Sequence, residues 1–288
     1  MTLDTTSYRT PVARSATCLR GAVATWRKDG LSVALVPTMG ALHEGHLSLV
    51  ELGRTKADRV VVSIFVNPTQ FAPNEDFSAY PRTEAADAAR LEGKADLIFA
   101  PDAADMYPEG FSTTISLSGV TEPLEGAFRP THFAGVATVV AKLILRAMPD
   151  IAIFGEKDWQ QLMVIRRMVA DLDIPVEILG GPIMREADGL AMSSRNVYLS
   201  PEERQAAGQL NVILRETAVS VAKGMPISEA TAEGSKRILA VGFDKLDYLE
   251  IRDAASLAAF PDNKPAGPAR ILVAAKIGRT RLIDNMPV

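Results

Sequence analysis

His43 and His46 stand three residues apart in the segment PTMGALHEGH (37–46) and are two of the chain's 3 histidines. Rings at that spacing, on one face of a new helix, converge on a single group. Imidazole is the side chain best suited to donate a proton or hydrogen bond to a phosphate near neutral pH. The segment supplies other parts of a phosphate site as well. A helix start leaves backbone N–H groups unpaired and carries partial positive charge, and Gly40 and Gly45 let a ligand approach the main chain closely. Strand, glycine turn and helix also occur in doubly wound domains with no ligand at all, so position decides. Here the turn follows the apolar run 31–36, at the carboxyl edge where ligands bind in open α/β sheets.

Three further clusters have chemical potential. FGEKDWQQL (154–162) repeats the first design: a strand-like run ends, Gly155 turns, and a helix begins. In it Lys157 and Gln161 share a helical face. Lys157 can neutralise a phosphate as a point charge, whereas Asp158 suits an N-cap or a first-turn acid. READGLAMSSRN (185–196) sets Ser193, Ser194 and Arg195 side by side. Hydroxyls and a guanidinium are good phosphate donors, and the same stretch also reads as a solvated linker. FVNPTQF (65–71) presents Asn67 and Gln70 at the end of another apolar run, where amides either bind a polar ligand or close a turn.

The elements that position these residues follow from periodicity. Short apolar, β-branched runs at 31–36, 60–66, 97–100, 113–117, 151–154 and 176–179 predict strands. Helical periodicity at 45–56, 84–92, 133–146 and 158–172 lies between several of them. The expected fold is α/β: a Rossmann-like, mostly parallel sheet with helices on both faces. After GGP (180–182) the rhythm changes. Ser200-Pro201-Glu202-Glu203 is a helix start, with helices expected at 201–223 and 227–241 and strands at 246–251, 270–275 and 280–283. Residues 1–183 are therefore expected to form the Rossmann-like domain, and 184–288 a smaller α+β C-terminal domain with a short antiparallel sheet.

Composition narrows the function. With 47% hydrophobic and 23% charged residues the chain has ample material for a core. The balance of 31 basic and 35 acidic side chains, net −4, argues against an extended nucleic-acid surface and leaves room for small anionic ligands. Cys18 is the 1 cysteine, so no intrachain disulfide is expected and its natural role is filler. Residues 1–20 lack an apolar core of signal-peptide length, and no run approaches the roughly 20 apolar residues of a membrane span. A cytoplasmic location is the expectation.

In their order and spacing, PTMGALHEGH, FVNPTQF, YPRT (80–83), FGEKDWQQL and READGLAMSSRN together resemble the pantothenate synthetase (pantoate:β-alanine ligase) family. That family belongs to the His-X-Gly-His superfamily of nucleotidyltransferases and class I aminoacyl-tRNA synthetases. The likeness covers most of 30–204. It implies condensation of pantoate with β-alanine at the expense of ATP, through a pantoyl adenylate, with release of pyrophosphate and then AMP. ATP would lie along Met39, Gly40, Ala41, Leu42, His43, Glu44, Gly45 and His46, along Gly155, Glu156, Lys157 and Asp158, and along Met192, Ser193, Ser194 and Arg195, with Met184 near the adenine. His46 is the implied proton donor. His43, Lys157, Ser193, Ser194 and Arg195 would share the catalytic work of stabilising charge on the phosphates. Gln70 and Gln161 would hold pantoate, Gln70 also β-alanine, and Pro37, Thr38, Met39 and Asn67 would complete the substrate contacts. Mg²⁺ is expected to travel with ATP rather than in a protein carboxylate cage. A homodimer is implied too.

Within LEGAFRPTHFAGV (124–136), Phe128 and Ala134 depart from the usual family residues. His132, Arg129 and Arg82 can each be read as ligand or as structure. Among other activities, a nucleotidyltransferase that stops after AMP transfer shares the first half-reaction, and the amides of Gln70 and Gln161 favour a carboxylate substrate instead. A metal hydrolase using His43, His46 and His132 lacks the HExxH spacing. A nucleotide-binding module without turnover does not need Gln70, Gln161 and Lys157 together, and a tRNA-linked role fits poorly with a C-terminal part that is not notably basic.

Overall fold

The structure, a computed structural model, describes residues 3–4, 8–71 and 77–288, and the elements below are those of the described residues. In chain order they are β1 (Val12–Ala13), α1 (Ala16–Lys28), β2 (Val33–Thr38), α2 (Glu44–Lys56), β3 (Arg59–Ile64), α3 (Glu84–Leu91), β4 (Leu97–Phe99), α4 (Ala103–Met106), α5 (Glu125–Phe128), α6 (His132–Ala147), β5 (Ile151–Gly155), α7 (Trp159–Asp171), β6 (Glu177–Gly181), α8 (Pro201–Ala222), α9 (Ile227–Ala240), β7 (Lys245–Asp253), β8 (Ala269–Ile277) and β9 (Thr280–Pro287). Contacts divide the chain into two units. One holds Met1–Leu117, Arg129–Glu156 and Val164–Pro182; the other holds Ser118–Phe128, Lys157–Met163 and Ile183–Val288.

The first unit is built on a parallel sheet of order β1-β4-β3-β2-β5-β6. Its strands are apolar on both faces because helices cover both. Ala34, Val36, Val60, Val62, Ile98 and Ile153 pack with Leu49 and Val50 of α2 and Ala88 and Leu91 of α3 in one core cluster. The alternate residues Val33, Leu35, Val61 and Ala152 are equally buried. They point to the other face, where α1 and α6 pack against each other and α6 against β2. Chain order reverses between β2 and β5, which pair at Ala34↔Ile151 and Leu35↔Ala152, so the carboxyl ends of both strands border the crevice of a topological switch point.

One expected strand is absent. Residues 113–117 lie in neither sheet: most are exposed, and the Ile115 N–H is taken by the Thr138 hydroxyl at 2.9 Å. A β-branched run without a neighbouring strand does not make a ladder. Conversely, β1 and α1 are not among the elements that periodicity picked out, the first because two residues carry no period.

The second unit carries the antiparallel sheet β7-β8-β9. Ile251, Ile271, Val273 and Ala275 of that sheet meet Leu210, Ile213 and Leu214 of α8 and Ile238 of α9 in a separate core. Helix α8 starts where Ser200 and Glu203 form a capping box with Pro201 in the first turn. Two segments from upstream in sequence join this unit. Buried Glu125 accepts hydrogen bonds from the Tyr248 hydroxyl at 2.8 Å and from Arg281 at 2.7 and 2.8 Å, and Trp159 Nε1 donates to Ala254 O at 2.8 Å.

Candidate active site

In the first unit the site begins where β2 ends. Gly40 (φ +80°) and Ala41 (φ +49°) are both left-handed, so the chain reverses sharply before α2. His43 is extended and serves as the N-cap, with His46 at the third helical position. The histidines therefore do not share a helical face, as the spacing suggested, yet their rings do meet, with centroids 4.1 Å apart. The His43 N–H donates to His46 Nδ1 at 3.3 Å. With Nδ1 accepting, the hydrogen of the neutral His46 ring sits on Nε2.

The backbone of this turn is more committed than a glycine-bearing phosphate loop suggests. The Gly40 N–H goes to the Thr38 hydroxyl at 3.2 Å, and those of Ala41 and Leu42 go to the Asp87 carboxylate at 3.0 and 2.7 Å. Thr38 in turn donates to Ser63 O at 2.7 Å, tying β2 to β3. The first-turn N–H groups of Glu44 and Gly45, by contrast, have no helical acceptor. Sequence reading overlooks Asp87. Its place on the first turn of a helix suggests an acid facing the helix dipole, and only tertiary packing reveals its partners.

The second wall comes from the turn Pro68–Gln70 after β3. Gln70 Nε2 lies 2.9 Å from Met39 Sδ, which brings the amide to the mouth of the β2 turn. Asn67, 1% exposed, holds it there. Asn67 Nδ2 donates to Gln70 Oε1 at 3.2 Å and to Gly135 O at 3.2 Å, and Asn67 Oδ1 accepts from the Tyr107 hydroxyl at 2.7 Å. The Gln70 carbonyl is gripped from α6 and the segment before it: His132 Nδ1 is 2.9 Å away, and Arg129 donates to it at 3.3 Å. Both act on this turn through its backbone. Arg82 is spent on the carbonyls of Phe77, Ser78 and Tyr80 at 3.1–3.4 Å.

Beside this turn, but lined by none of the predicted site residues, a groove of about 710 Å³ runs along Thr69, Tyr107, Phe111, Ala134 and Thr138. Ala134, one of the two departures, thus faces the groove. Phe128, the other, is 45% exposed and lies in the second unit, under Lys245 at 5.8 Å.

Gly155 closes β5 and Glu156 follows it in the first unit, and the chain enters the second at Lys157. Lys157 and Asp158 belong to a tight turn, Glu156–Asp158, that runs straight into α7, so Asp158 precedes the helix rather than starting it. The Lys157 carbonyl is fixed by Asn285 Nδ2 at 2.8 Å, while its ammonium stands 4.0 Å from the Asp158 carboxylate. Gln160 and Gln161 differ in kind. Gln160 is 3% exposed and its amide donates to the carbonyls of Val120 and Pro123, whereas Gln161 is half-buried. Met192 donates its N–H to the Met184 carbonyl at 2.9 Å, which pairs those two residues. Ser193 caps the short turn Ser194–Tyr198 by accepting from the Arg195 N–H at 3.3 Å. Arg185 makes a bidentate pair with buried Asp284 at 2.7 and 2.9 Å, anchoring this stretch to β9.

The family model described as pantoate-beta-alanine ligase matches residues 11–287. The chain belongs to the pantoate–β-alanine ligase family. A relative named pantothenate synthetase from Rhodospirillum rubrum is 58% identical over 279 residues, 96% of this chain and 99% of that one. The crystal structure of pantothenate synthetase from Thermus thermophilus superposes with a TM-score of 0.89 at 46% identity, covering 96% of this chain and 98% of the other. The ligase from Francisella tularensis, solved in complex with β,γ-ATP and β-alanine, gives 0.80 at 35% identity, over 96% of this chain and 97% of its own. The parallel sheet with its small C-terminal antiparallel sheet is thus the fold of pantoate–β-alanine ligases, and the chain is an amide-forming ligase of that family.

Proposed function

We propose that the chain condenses pantoate with β-alanine in two half-reactions. A carboxylate oxygen of pantoate attacks the α-phosphorus of ATP, the bond to the β-phosphate oxygen breaks, and pyrophosphate leaves. The β-alanine nitrogen then attacks the acyl carbon of the pantoyl adenylate. The acyl C–O bond to phosphate breaks, AMP leaves, and the two protons that the β-alanine ammonium loses, one before attack and one after it, pass to solvent. No protein nucleophile is needed, so catalysis rests on positioning and on stabilising phosphate charge.

In this reading ATP is held by residues 39–46, 155–158 and 192–195, with Met184 beside the adenine. His46 donates to the phosphate through Nε2, supported by His43, and Lys157, Ser193, Ser194 and Arg195 neutralise charge. Gln70 and Gln161 take pantoate, and Gln70 also meets β-alanine. Pro37, Thr38 and Met39 form the end of β2 at that subsite, and Asn67 acts through Gln70. Mg²⁺ enters as part of the MgATP substrate, on phosphate oxygens and water. Among the described residues no group of three or more His, Cys, Asp or Glu is arranged to hold a metal ion. Residues 1–183 would form the nucleotide- and pantoate-binding domain and 184–288 the smaller lid, with 118–128 and 157–163 held to the latter. The protein is proposed to act as a homodimer in the cytoplasm; none of the described helices is long and apolar enough to cross a membrane.

The observation that carries this reading is the 2.9 Å approach of Gln70 Nε2 to Met39 Sδ, which sets an amide donor suited to a carboxylate at the entrance of the histidine-bearing turn. Pantoate labelled with ¹⁸O in its carboxylate tests it. One labelled oxygen should appear in the AMP formed; label retained wholly in pantothenate or lost to water would exclude an acyl adenylate.

A further inference from the structure

We propose that Asp87, with Arg90 one turn further along α3, is a positioning residue that sets the shape of the 40–44 turn for ATP; this rests on the assignment of that turn to ATP made above. Asp87 is 2% exposed, and a buried carboxylate is costly unless donors surround it. Its donors come from the turn and from its own helix start. Oδ1 accepts from the Leu42 N–H at 2.7 Å, and Oδ2 accepts from the Ala41 N–H at 3.0 Å and the Thr83 hydroxyl at 3.1 Å. The two backbone groups are those of Ala41, second of the left-handed pair Gly40 and Ala41, and of Leu42 just after it, and Ala41 carries a Cβ that disfavours this conformation. The carboxylate offsets that preference by giving both N–H groups an acceptor that the reversed chain alone does not supply. Arg90 grips the same turn from the other polarity, donating to Leu42 O at 3.3 Å and to the Glu44 carboxylate at 3.4 Å. Fit is tight here as well: a Cβ on Gly40 would lie 3.0 Å from Asp87 Oδ2. Helix α3 thus clamps the link between β2 and α2 at both its donors and its acceptor. The position of His43 and His46 follows from that clamp, although Asp87 itself touches no substrate.

Asp87→Asn is the informative variant, because it keeps side-chain volume and removes one acceptor. An amide turned to serve Ala41 presents its NH₂ to the Leu42 N–H, and the turn must move. The expected result is a fall of about 10–100-fold in kcat/KM for ATP in pantoate-dependent pyrophosphate formation, the scale of losing a hydrogen bond to a charged group. KM for β-alanine should stay within about threefold, and the amide hydrogens of Ala41 and Leu42 should exchange faster with solvent. Arg90→Ala, at a 41% exposed side chain where folding is safe, should give a smaller loss in the same parameter. His46→Ala is the control for the underlying assignment. If it cripples pyrophosphate formation while Asp87→Asn leaves kcat/KM for ATP within about twofold, the clamp is overturned and the ATP assignment stands. If neither variant affects the ATP step, the assignment fails and takes the clamp with it. If Asp87→Asn merely lowers the folded fraction, with every KM unchanged, its role is structural and the proposal is overturned.

Discussion

Gly135→Ala should damage pantoate use while leaving ATP binding nearly intact. Gly135 lies in α6, where alanine is ordinarily the better residue by about 1 kcal/mol. Here a Cβ would stand 2.4 Å from Thr69 O, 2.6 Å from Thr69 C and 2.8 Å from Gln70 N, all backbone atoms, whereas ordinary contact begins at 3.4 Å. The turn must therefore retreat by about 1 Å, since backbone atoms cannot rotate aside as a side chain would. Overpacking of this kind costs about 1–3 kcal/mol, so after the helical gain the net loss of stability is about 0–2 kcal/mol. The effect on function is larger than that on stability. The same retreat pulls Asn67 Nδ2 from the Gly135 carbonyl, a 3.2 Å bond, and shifts Gln70 with it. A 1 Å misplacement of a substrate-positioning group costs about 100-fold. Steady-state kinetics with pantoate varied at saturating ATP, and the reverse, separate the two substrates. A drop of about 30–100-fold in kcat/KM for pantoate, with KM for ATP within about threefold, is expected. Unchanged pantoate kinetics in a folded Gly135→Ala protein would show that the approach of α6 does not fix Gln70.

Removing the proposed acid by His46→Ala should slow adenylate formation by about 100-fold or more, and near-normal pyrophosphate bursts would remove it from the mechanism. Gln70→Ala should weaken pantoate by about 10–100-fold, and an effect confined to ATP would contradict its assignment. Lys157→Ala ought to slow pyrophosphate release by about 100-fold, with unchanged kinetics marking that lysine as a solvated charge. Hydrogen bonds from Arg204 hold the Glu186 and Asp188 carboxyls below the usual carboxylate range. The folded state thus binds fewer protons than the unfolded one, so their stabilisation is complete above about pH 5 and is lost as pH falls through the lowered folded values. Arg204→Gln should flatten the slope of Tm against pH below about pH 5; an unaltered slope would refute this coupling.

How much is legible in sequence depends on how local the cause is. The β2 turn and α2 announce themselves because an apolar run, a glycine and a helix start are contiguous, and the capping box of α8 is readable for the same reason. Residues 113–117 mislead because a β-branched run makes a strand only where a partner strand exists. The second unit's claim on 118–128 rests on Glu125 meeting Tyr248 and Arg281, partners more than 120 residues away in sequence. Gln160 and Gln161 are identical as residues, and only packing assigns one to backbone carbonyls. Asp87 escapes notice on the same grounds: an acid in the first turn of a helix has an adequate local explanation, while two of its donors come from the β2 turn, over 40 residues away in sequence.

The most direct test mixes the protein with ATP, Mg²⁺ and pantoate, then follows pyrophosphate and AMP separately before and after β-alanine is added. A pantoate-dependent burst of pyrophosphate without free AMP is expected, followed by AMP and amide together only once β-alanine arrives. AMP released at the same rate with and without β-alanine, or pyrophosphate formed without pantoate, would contradict the acyl adenylate route.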